Sequence, residues 1–345
     1  MTANEPSQGV DPTMTTATAT IGPARDATAF VLRLFAWGIV FVTFAFLVEN
    51  YLIHWLGLPG ARGVFTGAGG YLAAGVYGLA GVLALAAARN PSPDGLRGDS
   101  ARITAVAGYI ARAAFWIVLL VGIADSVISF LRVEDLLNGL VGPDLATSLG
   151  LAQWRGPYVH MPLAALALVI AFFTRGVSFV WLSLLVVVVQ LIVVIGRFVF
   201  SYEQAFIADL VRMWYAALFL FSSAYTLVEE GHVRVDVFYA SMGTRTKALV
   251  NGIGAVVLGM SLMWVILVLG TATRASPIIG PFISYEQGQQ TYGLATKYWM
   301  AAYLAIYAVL MMVQFAAMVL KSGADWREEP EPTTLSATPA TAKAD

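Results

Sequence analysis

Apolar residues in this chain come in long runs separated by short polar stretches. Eight runs approach the ~20 mostly apolar residues that a helix needs to cross the hydrocarbon core of a bilayer. They cover residues 29–48 with an extension toward Trp55, then 70–88, 103–131, 158–174, 177–200, 210–228, 249–273 and 296–320. The fifth, with LSLLVVVVQLIVVIG, is the clearest, and the second is rich in Gly and Ala, which suits close helix contact. The pattern predicts an all-α polytopic membrane protein of about eight transmembrane helices. Short interfacial amphipathic helices are expected beside them. Phe206, Ile207, Leu210, Val211 and Trp214 recur on one helical face, which predicts a piece lying along the outer interface before the sixth span turns inward. Val235, Phe238, Tyr239 and Met242, spaced i, i+3, i+4, i+7, predict another on the cytoplasmic surface.

The polar stretches divide the chain. Residues 1–28 are rich in Thr, Ala and Pro, and residues 321–345 end in EEPEPTTLSATPATAKAD; both read as disordered cytoplasmic tails. Between them lie two blocks of four spans, residues 29–175 and 177–320. Glu5 and Asp11 sit where a signal peptide would be basic, and the first apolar run starts late. The longest connection, residues 132–157, is too short for a soluble catalytic domain.

Composition narrows the class. Of 345 residues, 59% are hydrophobic and 12% charged, and mean hydropathy is +0.74, so too few polar residues exist to cover a soluble fold of this size. The net charge of -1 leaves no basic field to attract nucleic acid. The absence of cysteine excludes disulfides, thiolate zinc sites and iron–sulfur clusters. His54, His160 and His232 are far apart, and neither HExxH nor a P-loop occurs, so no enzyme, metal site or cofactor is expected. Eight spans put both termini on one side. If that side is the cytoplasm, Arg25, Arg33, Arg89, Arg97, Arg102, Arg175, Arg234, Arg245, Lys247, Lys321, Arg327 and Lys343 lie inside, against Arg62, Arg132, Arg155, Arg197, Arg212, Arg274 and Lys297 outside. Basic residues are then in excess inside over the whole chain, as the positive-inside rule requires.

A few charges fall at membrane depth. Arg112 and Asp125 share the third span but lie about 20 Å apart along a helix, so they cannot pair with each other. Asp125 is expected near the outer interface. Arg112 reads either as a snorkelling anchor or as a buried, partner-facing charge. Asp209 and Arg212, spaced i, i+3, can meet on one face where the sixth span starts, either neutralising each other or docking another chain. Arg197 lies near the outer end of the fifth span, and His232 at an interface reads as structural or proton-active.

The string QLIVVIGRFVFSYEQAFIADLVRMWYAALFLFSSAYTLVEEGHVRVD, residues 190–236, resembles the small permease subunit (DctQ-like) of tripartite ATP-independent periplasmic (TRAP) transporters. Arg197 and Phe198 match that family's Arg-aromatic pair, Asp209 stands for its usual Glu, Arg212 matches its Arg, and Gly231 to Asp236, including His232 and Arg234, match its last motif. The resemblance covers roughly residues 177–320; the first four spans are additional, and structural enlargement is the expectation for them. It implies a multi-pass subunit of the bacterial cytoplasmic (inner) membrane that scaffolds a larger multi-span permease. That permease takes up a small organic acid, delivered by a periplasmic substrate-binding protein, using a cation gradient, usually sodium. Arg197, Asp209, Arg212, His232, Arg234 and Asp236 then become candidates for subunit contact or fold stabilisation. The alternative is an autonomous secondary carrier or channel using Arg112 and Asp125.

Overall fold

A computed structural model of the chain describes residues 23–175, 179–202, 204–228, 239–287 and 293–330. Among these residues the regular structure is helical, with no strand. Eight helices are long and apolar enough to cross a membrane: α1 (Pro23–His54), α2 (Tyr71–Arg89), α3 (Gly95–Val133), α4 (Ala152–Phe173), α5 (Phe179–Val199), α6 (Ala205–Val228), α7 (Thr244–Thr271) and α8 (Lys297–Trp326). The apolar runs locate every span, and the helices differ from them chiefly at their ends. Helix α3 starts eight residues before its apolar run, at Gly95, and α8 runs six residues past its own, to Trp326. Ser322, Gly323 and Ala324, expected in a solvated tail, are buried.

The eighth helix is the axis of the bundle. In its most apolar stretch 67% of residues are buried, against 11% in α5. It packs on α1, α3, α6 and α7, while α3 also packs on α4 and α6. Helix α2 leans on α1, and α5 on α6. The two sequence blocks therefore share one hydrophobic core, which runs from Ala29, Val40, Ile103 and Val118 through Trp214 and Phe221 to Tyr303 and Leu320. The blocks approach each other closely at Gly122 of α3. A methyl group there would lie 2.5 Å from Nε1 of Trp214, whose N–H donates to the Val118 carbonyl at 3.2 Å.

This packing corrects the reading of residues 206–214. Phe206, Leu210 and Trp214 are buried in the shared core, and α6 is one continuous helix from Ala205 rather than a surface piece followed by a turn. Their periodic face matches α3 and α8, not the headgroup region, because periodicity alone reports that a face is covered and not by what. For the second expected interfacial helix, Val235 and Phe238 lie outside the described residues.

Ion pairs close the end of the bundle where α1 begins and α8 stops. Buried Asp99 of α3 takes Arg33 of α1 at 2.6 Å, Arg102 at 3.3 Å and the Ser92 amide at 3.1 Å. Arg97 pairs with Asp325 at 2.8 Å, and Glu329 accepts from the Leu96 amide at 2.9 Å. These pairs let charged turns stay helical and buried beyond the apolar runs.

Candidate functional site

At the opposite end, four side chains from three helices form a closed polar network. Asp125 comes from α3, three residues after the end of its tightly packed Val118–Gly122 turn; Arg155 and His160 come from the start of α4; Tyr298 is the second residue of α8. All four are fully buried, at 0% exposure. Asp125 Oδ1 accepts from Arg155 Nη1 at 2.9 Å and from His160 Nε2 at 2.8 Å. On its other side, His160 Nδ1 accepts from the Tyr298 hydroxyl. With Nε2 protonated and Nδ1 free, a neutral imidazole satisfies both contacts, and Arg155 balances the carboxylate. Helix α4 brings its two members together by a local widening: Gly156–His160 is a π turn, a geometry that re-aims side chains within a helix.

A second shell closes over the network. The Tyr285 ring lies on Gly156, so close that no side chain fits there, and meets Tyr298 edge-on at 5.3 Å between centroids. Tyr285 holds a left-handed backbone (φ 49°), a costly conformation for a bulky residue. Burial pushes its phenol above its ordinary range. Phe282 packs edge-on against both Tyr298 and Trp299. An Asp–His–hydroxyl chain can move a proton in an enzyme, but a general acid or base must reach its substrate, and every member here is sealed from solvent. The arrangement is fitted to hold three helices in register.

The sequence-based candidates fall in different places. Asp125 is buried as described, and Arg155 and His160, read as an outer-loop cation and an isolated histidine, are its partners. The expectation that residues 132–157 form one outer connection is corrected: helix resumes at Ala152, and Arg155 is internal. Arg112 lies apart from Asp125 and donates to the Ala171 carbonyl at 3.4 Å, fixing α3 against α4. Asp209 and Arg212 do meet, at 3.4 Å, with Arg212 70% exposed. Arg197 belongs to the last turn of α5. His232, Arg234 and Asp236 lie outside the described residues. Glu49, unremarked in the sequence, ties the α1–α2 hairpin by accepting from the Tyr77 hydroxyl at 2.5 Å and the Ala61 amide at 2.8 Å. Among the described residues no cluster of three or more His, Cys, Asp or Glu could hold a metal ion.

The fold is thus that of a polytopic helical membrane protein in which buried Asp125 and Arg155 neutralise each other. Residues 185–323 match the family of tripartite ATP-independent periplasmic transporters, DctQ component. The match spans α5 to α8, so the chain carries a DctQ-like TRAP subunit region, preceded by extra apolar helices. Neither the curated proteins nor the solved structures gave a match.

Proposed function

We propose that this chain is the small membrane subunit of a TRAP-type secondary transporter, scaffolding a larger permease in the bacterial cytoplasmic membrane with both termini in the cytoplasm. The larger subunit takes up a small organic acid, handed over by a periplasmic binding protein, driven by an inward sodium gradient. The observation that carries this reading is the family match across α5 to α8. A carrier whose substrate-bearing part moves through the bilayer needs a counterpart that stays fixed. A bundle sewn to its own first four helices by buried polar contacts suits that duty: those helices add bilayer-facing area, and α3 and α4 brace α8. The distribution of Arg and Lys at helix ends supports the orientation. The connections at 134–151 and 274–295 would face the binding protein. Arg197, Asp209 and Arg212, with the segment His232 to Asp236, are candidates for contact with the larger subunit.

The test is reconstitution. Proteoliposomes holding this chain, the larger permease and the binding protein are expected to accumulate organic acid under an inward sodium gradient. Liposomes holding this chain alone are expected to show none. Uptake by the chain alone would overturn the reading.

A further inference from the structure

A polar side chain stands exposed at mid-membrane depth. Gln190 is the twelfth of the 21 residues of α5 (Phe179–Val199), so it sits about 14–17 Å from either helix end. It is exposed, and among the described residues its amide has no hydrogen-bond partner. An amide left unpaired in hydrocarbon is costly. Gln190 opens into a cleft of about 500 Å³ between α5 and α6, whose walls include Ile192, Gly196, Ile207 and Val211. Arg212 lines the same cleft nearer the helix ends, largely exposed and tied only loosely to Asp209. Helix α5 is also the least buried of the eight and rests on α6. Lipid tails cannot pair with the amide, and headgroups reach Arg212 only by snorkelling. A protein helix bearing matched polar groups satisfies both.

We infer that the α5–α6 cleft is the surface that receives a transmembrane helix of the larger permease. That helix presents a hydrogen-bonding side chain to Gln190 and a carboxylate to Arg212. The spacing between Gln190 and Arg212, which share the cleft with Tyr202 and Gln204, selects the partner's register, since a helix sliding by one turn would leave Gln190 and Arg212 unpaired. The inference rests on the function proposed above and adds to it the docking face and the partner's chemistry.

Photocrosslinking in the assembled complex tests it. The full chain is co-expressed with the larger permease of its own transport system. A photoreactive phenylalanine analogue is placed at Ile192 or Ala208 in the cleft, or at Leu79 on α2 as a control. The expected result is a crosslink to the larger permease from Ile192 and Ala208 and none from Leu79. Gln190→Leu is expected to weaken the complex about threefold, the typical value of one hydrogen bond within a bilayer. It should not unfold the chain, because leucine at that lipid-facing depth is at least as favourable as glutamine. Arg212→Ala should weaken it about tenfold or more, as truncating one partner of a desolvated charge pair does. If the complex assembles but crosslinks only through Leu79, or if Gln190→Leu and Arg212→Ala bind normally, the docking face is wrong and the proposed function stands. If Ile192 crosslinks to a second copy of this chain instead, the assigned occupant is wrong. Failure to assemble with the larger permease under any condition overturns both.

Discussion

Replacing Asp125 by alanine isolates the contribution of the buried network. The carboxylate is 0% exposed and its partner Arg155 1% exposed, so neither charge has water to fall back on. Removing the carboxylate leaves a guanidinium uncompensated inside the bundle and strips the acceptor from His160 Nε2. Breaking a buried pair from one side costs about 3–5 kcal/mol. The lost hydrogen bond from His160 adds roughly 1–2 kcal/mol. Arg155→Met should cost a comparable amount, since it leaves the carboxylate uncompensated. The double variant Asp125→Ala with Arg155→Met is different, because it removes both charges. Its loss should fall short of the sum of the singles by about 1–3 kcal/mol, the usual coupling between groups in contact. Reversible unfolding in mixed detergent, followed by tryptophan fluorescence, measures all three. Single variants within about 1 kcal/mol of the parent, or a double variant that loses the full sum, would refute the claim that these groups act as one unit.

Other consequences are as direct. Tyr298→Phe keeps the ring but leaves His160 Nδ1 without its donor; a loss of about 1–2 kcal/mol is expected in the same unfolding assay. Gly122→Ala pushes a methyl group against Trp214 and the Met213 methyl. The expected cost is about 1–3 kcal/mol, with a blue or red shift in tryptophan emission as the indole leaves the Val118 carbonyl; unchanged stability and emission would contradict the packing. Asp99→Ala abandons Arg33 inside the bundle and should destabilise by several kcal/mol, whereas Asp209→Asn, facing a largely exposed Arg212, should alter fold stability by less than about 1 kcal/mol. Equal losses from the two would mean that burial does not govern these charges.

The spans were legible because crossing hydrocarbon imposes a length and a composition that few other structures share. Their ends were less so. Arg97, Asp99 and Arg102 at the start of α3, and Lys321 and Asp325 late in α8, lower the local hydropathy. In the fold, Asp99 and Asp325 are matched by cations on neighbouring segments, a relation that no window along one segment contains. The polar network was hidden for the same reason. Asp125, Arg155, His160 and Tyr298 are spread over more than 170 positions. A usable signal did exist: an aspartate inside a span needs a partner at equal depth, and Arg155 and His160 begin the next span near the same side of the bilayer. The family resemblance came from the short strings around Arg197, Asp209 and Arg212, and the match at residues 185–323 agrees with it. What those residues do is a question of the surface they share with another chain, and that surface is written in two sequences.

The central place of α8 bears on how the protein is made. Ribosomes release helices in order, so α1 to α7 enter the bilayer before the helix on which α1, α3, α6 and α7 all pack. Until then His160 awaits Tyr298, and the apolar faces that will pack on α8 meet only lipid and one another. The nascent bundle is therefore a loose collection that the last insertion converts into a unit, and a chain interrupted before Lys297 should be an open substrate for membrane proteases. A subunit with α8 in place thus differs from one without it by a single late event, the docking of four helices on one axis.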